Sequence, residues 1–252
     1  MSLNMMIGNI GCGKSFLSSK LAKMLNAVVV NNDILVKMMA GGEYNNYDKT
    51  KKEVYQTTED TLIETALKNG FSVVIDRTNM DIKRRQRFIE IGKKYAKEIV
   101  AYDFGEGDEK GLKRRIKKSN GVPASTWQGV FEFMKKSYTQ SSTEEGFTKI
   151  IEAPKRFRFY AFDFDGTIVE NKFPEIGEII DGTVEKLNKI YEDVSNVIIV
   201  WTCRSGDYVN QMRKFLCDNK IPFDFINENP MVDFGSPKIF AHEYYDDRNI
   251  CS

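Results

Sequence analysis

The chain has 252 residues, 29% charged and 41% from the set Ala, Val, Ile, Leu, Met, Phe, Trp, Tyr and Cys. That composition excludes a disordered chain and leaves room for one large domain or two compact ones. A single histidine, His242, stands against 36 acids and 37 bases, which excludes a His-rich zinc site and leaves acid–base work to Asp and Glu.

The first half alternates strand and helix patterns. An apolar start, Leu3–Ile7, runs into a glycine loop and a helix over Ser15–Asn26, with Leu17, Leu21 and Leu25 on one face. Ala27–Val30 reads as a strand and Glu53–Asn69 as a helix, with Gly70 placed as its C-terminal cap. Phe71–Ile75 is a buried strand, and Asp81 is the N-cap of a helix over Ile82–Lys97. Glu98–Phe104 is the next strand, followed by a basic helix, Glu109–Lys118, and a break at Gly121-Val122-Pro123. Ser125–Tyr138 carries an apolar stripe at helical spacing, and Gly146–Glu152 closes the half as a strand.

A linker is expected at Ala153–Arg156, after which the pattern restarts. Phe157–Phe162 reads as a strand ending in Asp163, Thr183–Tyr191 as a helix and Val197–Trp201 as a strand. Val209–Asn219 reads as a helix, and Phe223–Ile226 and Ile239–Tyr245 as strands. Strands separated by crossover helices predict α/β architecture with parallel sheets covered on both faces, once in 1–152 and again in 153–252. The charge divides the same way. Residues 1–152 carry 25 Lys and Arg against 19 Asp and Glu, a balance of +6, and residues 153–252 carry 12 against 17, a balance of −5.

No apolar run approaches the roughly 18 residues needed to cross a bilayer. The start MSLNMMIGNIG lacks the regions of a signal peptide. Cys12, Cys203, Cys217 and Cys251 are scattered with no C-x-x-C pair. The expectation is a cytoplasmic protein with reduced thiols and no membrane partner. The sequence leaves room for a homo-oligomer.

Gly8-Asn9-Ile10-Gly11-Cys12-Gly13-Lys14-Ser15 matches the phosphate-loop pattern G-x(4)-G-K-[ST] in full. Its glycines, Gly8, Gly11 and Gly13, let backbone N–H groups face phosphate oxygens, and the helix N-terminus adds positive potential. Lys14 reaches the β- and γ-phosphates and Ser15 ligates Mg²⁺. Asp33, after the second strand, is placed to accept a proton from an attacking hydroxyl. Asp76, Thr78 and Asn79 end the next strand at the same edge. Lys113, Arg114, Arg115, Lys117 and Lys118 supply cations that could close over a transferring phosphoryl group.

This succession resembles the polynucleotide 5′-kinase group of P-loop phosphotransferases over most of residues 1–152. The resemblance implies ATP·Mg²⁺ at Lys14 and Ser15, and Asp33 as general base. Where that group carries a substrate-holding arginine, this chain offers Lys37, and its lid cation would fall on Lys117 or Lys118.

The second half holds Asp163-Phe164-Asp165-Gly166-Thr167 at the end of a strand, Thr202 after another, Lys238 before the last and Asp246-Asp247 behind it. A strand-tip Asp can attack phosphorus, and a second Asp can protonate the leaving oxygen and then deprotonate water. Further carboxylates supply oxygen ligands for Mg²⁺, and a hydroxyl and an ammonium complete a phosphate cradle.

The pattern resembles the haloacid dehalogenase phosphohydrolase superfamily over about residues 157–252. By that resemblance Asp163 is the nucleophile, Asp165 the acid/base, and Thr202 and Lys238 bind phosphate, with Arg204 touching substrate. Asp163, Asp165, Asp246 and Asp247 form the metal side. Fewer than 40 residues separate Asp163 from Thr202 and Thr202 from Lys238, so no cap domain is inserted and the fold is a capless Rossmann-like one. His242 is read as structural.

The joined order resembles bacteriophage-type polynucleotide kinase/3′-phosphatases, which implies nucleic-acid ends, DNA or RNA, as substrates. A fused small-molecule kinase and nucleotidase is the alternative.

Overall fold

The computed structural model describes residues 1–42, 47–119, 121–232, 235–236 and 238–248. Cys251 lies outside the described residues. The chain divides into two compact units, Met1–Ala153 and Pro154–Ser252. Ala153, the last residue of the first unit, is buried and its N–H donates to the Asp103 carbonyl.

The first unit is an α/β domain around a five-stranded parallel sheet ordered β2-β3-β1-β4-β5. Its strands are β1 (Ser2–Ile7), β2 (Val28–Val30), β3 (Val73–Ile75), β4 (Glu98–Asp103) and β5 (Lys149–Glu152). Its helices are α1 (Lys14–Leu25), α2 (Asn32–Met39), α3 (Lys52–Lys68), α4 (Ile82–Tyr95), α5 (Glu109–Lys117) and α6 (Ala124–Ser137). All six residues of β1 are buried, as expected of a central parallel strand covered on both faces. Leu3, Met5 and Ile7 meet Ile63 and Leu67 of α3 and Phe88, Ile89 and Ile91 of α4 in one core. Gly70 takes the left-handed conformation that ends α3. The Asp81 side chain accepts the Arg84 N–H at the start of α4.

Helix α2 was not expected from the sequence. Asn31 follows β2 immediately and caps α2 by accepting the Ile34 N–H at 3.1 Å. Strand therefore turns into helix without a Gly or Pro to announce the change. Asp33 belongs to the first turn of that helix rather than to a strand end.

A buried polar lock ties α4 to the segment before β5. Arg85 is fully buried and donates to Glu145 from Nε (2.7 Å) and Nη2 (2.9 Å), and its Nη1 donates to the carbonyls of Asn79, Met80 and Thr139. Glu145 closes a capping box with Ser142 on a short 3₁₀ turn, Thr143–Glu145. The turn ends at Gly146, so β5 begins at Lys149, three residues after the expected strand start.

The second unit has a four-stranded parallel sheet ordered β8-β7-β6-β9. Its elements are β6 (Arg158–Asp163), α7 (Thr183–Tyr191), β7 (Asn196–Trp201), α8 (Asp207–Asp218), β8 (Phe225–Ile226) and β9 (Glu243–Tyr245). Phe162, Ile198, Val200, Leu187, Met212 and Leu216 fill its core. The last two strands are shorter than their apolar runs, because pairing reaches only Phe225–Ile226 and Glu243–Tyr245. His242 is structural. Its Nδ1 accepts the Phe159 N–H at 3.0 Å, and its ring stacks on Phe159 with centroids 5.6 Å apart.

Candidate active sites

In the first unit the phosphate loop joins β1 to α1. Gly11 adopts φ +75°, and a Cβ there would lie 2.0 Å from the Gly111 carbonyl oxygen. Only glycine fits so close an approach between loop and α5. Asn9, fully buried, anchors the loop: its Nδ2 donates to the carbonyls of Glu106 (2.8 Å) and Phe131 (3.0 Å), and its Oδ1 accepts the Ile10 N–H. Gly8 donates its N–H to the Thr78 carbonyl at 2.8 Å. Gly13, at φ +102°, stands immediately before the first turn of α1. Lys14 is turned back on the loop, with Nζ donating to the Asn9 carbonyl and lying 3.5 Å from Cys12 Sγ. Ser15, next on α1, is exposed.

Asp33 and Lys37 are exposed one turn apart on α2, so the helix presents them on one face. Asp76 is buried, and its Oδ2 accepts from Asn31 Nδ2 at 2.9 Å, which braces β3 against the start of α2. Thr78 sits beside the loop through its carbonyl bond to Gly8.

Asn79 departs from its expected place facing substrate. It is 1% exposed, takes φ +46°, and donates from Nδ2 to the Met6 carbonyl. Its amide is spent on holding the strand ends together.

The cation that lies against the phosphate loop is neither Lys117 nor Lys118. Helix α5 docks on the loop through Gly111, so the residue one turn later, Arg114, faces the loop. Its Nη2 and Nε lie 3.0 and 3.3 Å from the Gly11 carbonyl oxygen. Lys117 and Lys118 are at the far end of α5 and exposed. Arg115 turns away to lie over the Trp127 ring, 4.0 Å from its centroid. Helical spacing carries the signal for Arg114, but only once Gly111 is known to be the contact point.

In the second unit Asp163 ends β6 and is half-buried. Its register partner on β7 is Trp201, so Thr202 lies at the same sheet edge. Asp163, Asp246 and Asp247 each offer a carboxylate oxygen, all within 4.8 Å of one another. Burial, and then the negative charges of Asp246, Asp247 and Asp165, push Asp163 up to about 6, against the opposing effect of the Phe164 N–H it accepts at 2.8 Å. Clustered hard oxygen donors with unrelieved like charge fit a small divalent cation such as Mg²⁺.

Asp165 lies outside that group, contrary to the expectation of a metal ligand. Its carboxylate is held by Arg204, with Nε at 2.8 Å and Nη2 at 2.6 Å. Arg204 is 3% exposed and also donates to the carbonyls of Pro174 (3.0 Å) and Glu175 (2.7 Å). Its guanidinium is thus committed to positioning Asp165 and the loop beside it.

Gly166 takes φ +89°, a conformation strained for any side chain, and lies close against the Asp247 carboxylate. Thr202 is buried, with its N–H donated to Asn227 Oδ1 and its Oγ1 accepting the Arg204 N–H. Lys238 is exposed, and its ammonium rests 4.9 Å from the centroid of the Tyr244 ring. Among the described residues no ion pair joins it to the three clustered carboxylates.

Residues 3–140 match a family model described as an AAA domain. The chain belongs to this family. The AAA-domain match covers the phosphate loop, α2 and the α5–α6 pair described above. Among solved structures, the chain is similar to a conserved protein of Bacteroides thetaiotaomicron at 31% identity, covering 38% of this chain and 79% of that one, with a TM-score of 0.34. It is also similar to a chain of the Pnkp1/Rnl/Hen1 RNA repair complex (19% identity, 98% and 90% covered, TM-score 0.45). A gluconokinase from Sinorhizobium meliloti 1021 is a further match (14% identity, 61% and 85% covered, TM-score 0.41). No helix among the described residues is long and apolar enough to cross a membrane.

Proposed function

We propose that this chain is a bifunctional end-healing enzyme. Residues 1–152 would phosphorylate 5′-hydroxyl ends of nucleic acid with ATP, and residues 153–252 would remove phosphate from 3′ ends with Mg²⁺. The observation that supports the reading is two side-chain groups in one chain suited to phosphoryl transfer of opposite sense: a phosphate loop with its lysine, and the Asp163–Asp165 pair with Asp246 and Asp247 beside it. Opposite reactions at one position of one small molecule would only consume ATP. At different positions, such as the two sides of a break, both are productive.

In the kinase half, loop N–H groups and the start of α1 cradle the phosphates of ATP. Lys14 exchanges the Asn9 carbonyl for the β- and γ-phosphates. Asp33 accepts the proton of the attacking hydroxyl, Lys37 lies one turn along for the substrate's phosphate, and Arg114 supplies the lid charge. Ser15 would hold the nucleotide's Mg²⁺.

In the phosphatase half, Asp163 attacks phosphorus and the P–O bond to the leaving oxygen breaks, giving an aspartyl-phosphate. Asp165, ion-paired with Arg204 as found here, would take up a proton on leaving that pair and give it to the leaving oxygen. It then takes one from the water that hydrolyses the intermediate and frees Asp163. Thr202, at the same sheet edge, would contact the phosphate. Asp163, Asp246 and Asp247 would hold Mg²⁺, which when bound offsets the repulsion between carboxylate and phosphate.

The test is a pair of assays on DNA and RNA oligonucleotides. Labelled ATP should phosphorylate a 5′-hydroxyl oligonucleotide in preference to free nucleosides, and a 3′-phosphorylated oligonucleotide should release phosphate with Mg²⁺. Labelling of nucleosides alone would overturn the polynucleotide reading in favour of the small-molecule alternative.

A further inference from the structure

Two aromatic rings stand exposed beside the Asp165–Arg204 pair. Phe173 is 56% exposed and Tyr208 39%, and their rings meet edge-on with centroids 5.2 Å apart. They come from different segments. Phe173 lies on the loop after the Asp-x-Asp-Gly motif, and Tyr208 is in the first turn of α8, just past Thr202 and Arg204. Single exposed hydrophobes are ordinary. A paired, fixed set at the edge that carries the proposed chemistry is not scatter.

The loop bearing Phe173 is rigid by construction. Its stem is pinned by the Glu170 N–H donating to the Glu178 carbonyl at 2.8 Å. Gly177 packs so tightly that a Cβ would lie 2.2 Å from the Glu170 carbonyl oxygen. Arg204 binds the two carbonyls immediately after Phe173, and its guanidinium lies 5.3 Å from the Phe173 ring centroid. The guanidinium that positions Asp165 therefore also positions the ring. A flat apolar face held at fixed reach from a phosphate site, with its entropy already spent, suits a nucleobase.

We propose that Phe173 and Tyr208 form a stacking platform for the base of the nucleotide whose phosphate is removed. The proposal rests on the phosphatase reading and narrows its substrate to phosphate esters that carry a nucleobase. Stacking accepts every base, so the platform confers preference for nucleotides without sequence specificity.

The experiment uses the full chain. Turnover with Mg²⁺ is measured on a 3′-phosphorylated oligonucleotide, the same oligonucleotide with an abasic terminal residue, and a nucleoside 3′-monophosphate. Phe173→Ala and Tyr208→Ala should each raise KM for the base-bearing end roughly tenfold with kcat little changed, and leave the abasic end nearly unaffected. Phe173→Trp should restore the preference. Loss through a loosened Arg204 would instead slow both ends alike, and that result, or no base preference in the parent, overturns the platform.

Binding to the Asp163→Asn chain, followed by calorimetry, separates the two ideas. A base preference there that vanishes with Phe173→Ala, in a parent enzyme that releases no phosphate, would sink the phosphatase reading and keep the platform. Equal effects on oligonucleotide and mononucleotide would mark the terminal nucleotide alone as the recognised unit. A larger effect on the oligonucleotide would mark the strand end.

Discussion

At the scale of single residues, the two units are expected to respond to different substitutions. Lys14→Ala removes the one ammonium in the phosphate loop, and loss of a preorganised charge at a transferring phosphoryl group costs on the order of 10²–10³ in rate. Oligonucleotide phosphorylation should fall by that amount while 3′-phosphate release is unchanged. Asp163→Asn should do the converse; phosphatase activity surviving in it would remove Asp163 as nucleophile.

Asp163 also makes a prediction about stability. Its folded value of about 6 lies above the ordinary carboxylate value of 3.8. Between those two values the folded protein binds more protons than the unfolded chain, so stability contributed here falls as pH rises through about 6. Without divalent metal, the melting temperature of the second unit should drop from pH 5 to pH 7.5. Mg²⁺ should recover it at pH 7.5 by binding the folded carboxylates, and Asp163→Asn should abolish most of the pH effect. An unchanged melting curve with and without Mg²⁺ at pH 7.5 would count against the carboxylate cluster as a cation site.

At the scale of elements, contact between sequence-distant segments decides what single-element patterns leave open. Most strands and helices were legible because apolar runs and helical spacing report how one element is buried. The helix Thr183–Tyr191 and the Asp81 cap are where the pattern placed them. Helix α2 was missed because its Asn31 cap abuts β2, leaving no turn residue as a boundary. That Arg114 rather than Lys117 or Lys118 lies against the loop was not legible, because spacing along α5 does not reveal that Gly111 meets Gly11. The Asp165–Arg204 pair spans 39 positions, a separation no periodicity reports.

The same kind of contact yields a stability prediction. Glu145 is the buried carboxylate partner of the buried Arg85. Glu145→Ala would leave that guanidinium without a counter-charge, and breaking one side of a buried pair costs about 3–5 kcal/mol. The first unit's melting temperature should fall sharply. Glu145→Gln, which keeps an acceptor for one N–H, should recover part of the loss. If the alanine variant melts with the parent, the lock contributes nothing.

At the scale of the whole molecule, near neutrality is the sum of two unlike halves, +6 over 1–152 and −5 over 153–252. The motifs in each half were legible because their residues stand at short, fixed spacing in the sequence. The aromatic pair Phe173–Tyr208 was not, because exposed rings carry no pattern until the fold brings them beside Arg204. The charge division predicts different salt responses from one polypeptide. Lys and Arg that neutralise backbone phosphates release counterions, so the logarithm of affinity falls linearly with the logarithm of salt. The basic half should follow that behaviour: its KM for a 5′-hydroxyl oligonucleotide should rise steeply between 50 and 200 mM salt. The acidic half has few cations to trade for counterions, so under the proposed function its KM for a 3′-phosphorylated oligonucleotide should change far less. Measuring both activities on one preparation across a salt series checks this directly, because protein concentration and folding are shared. Parallel slopes would mean that both reactions neutralise similar numbers of phosphates, and the charge division would then have no bearing on substrate binding.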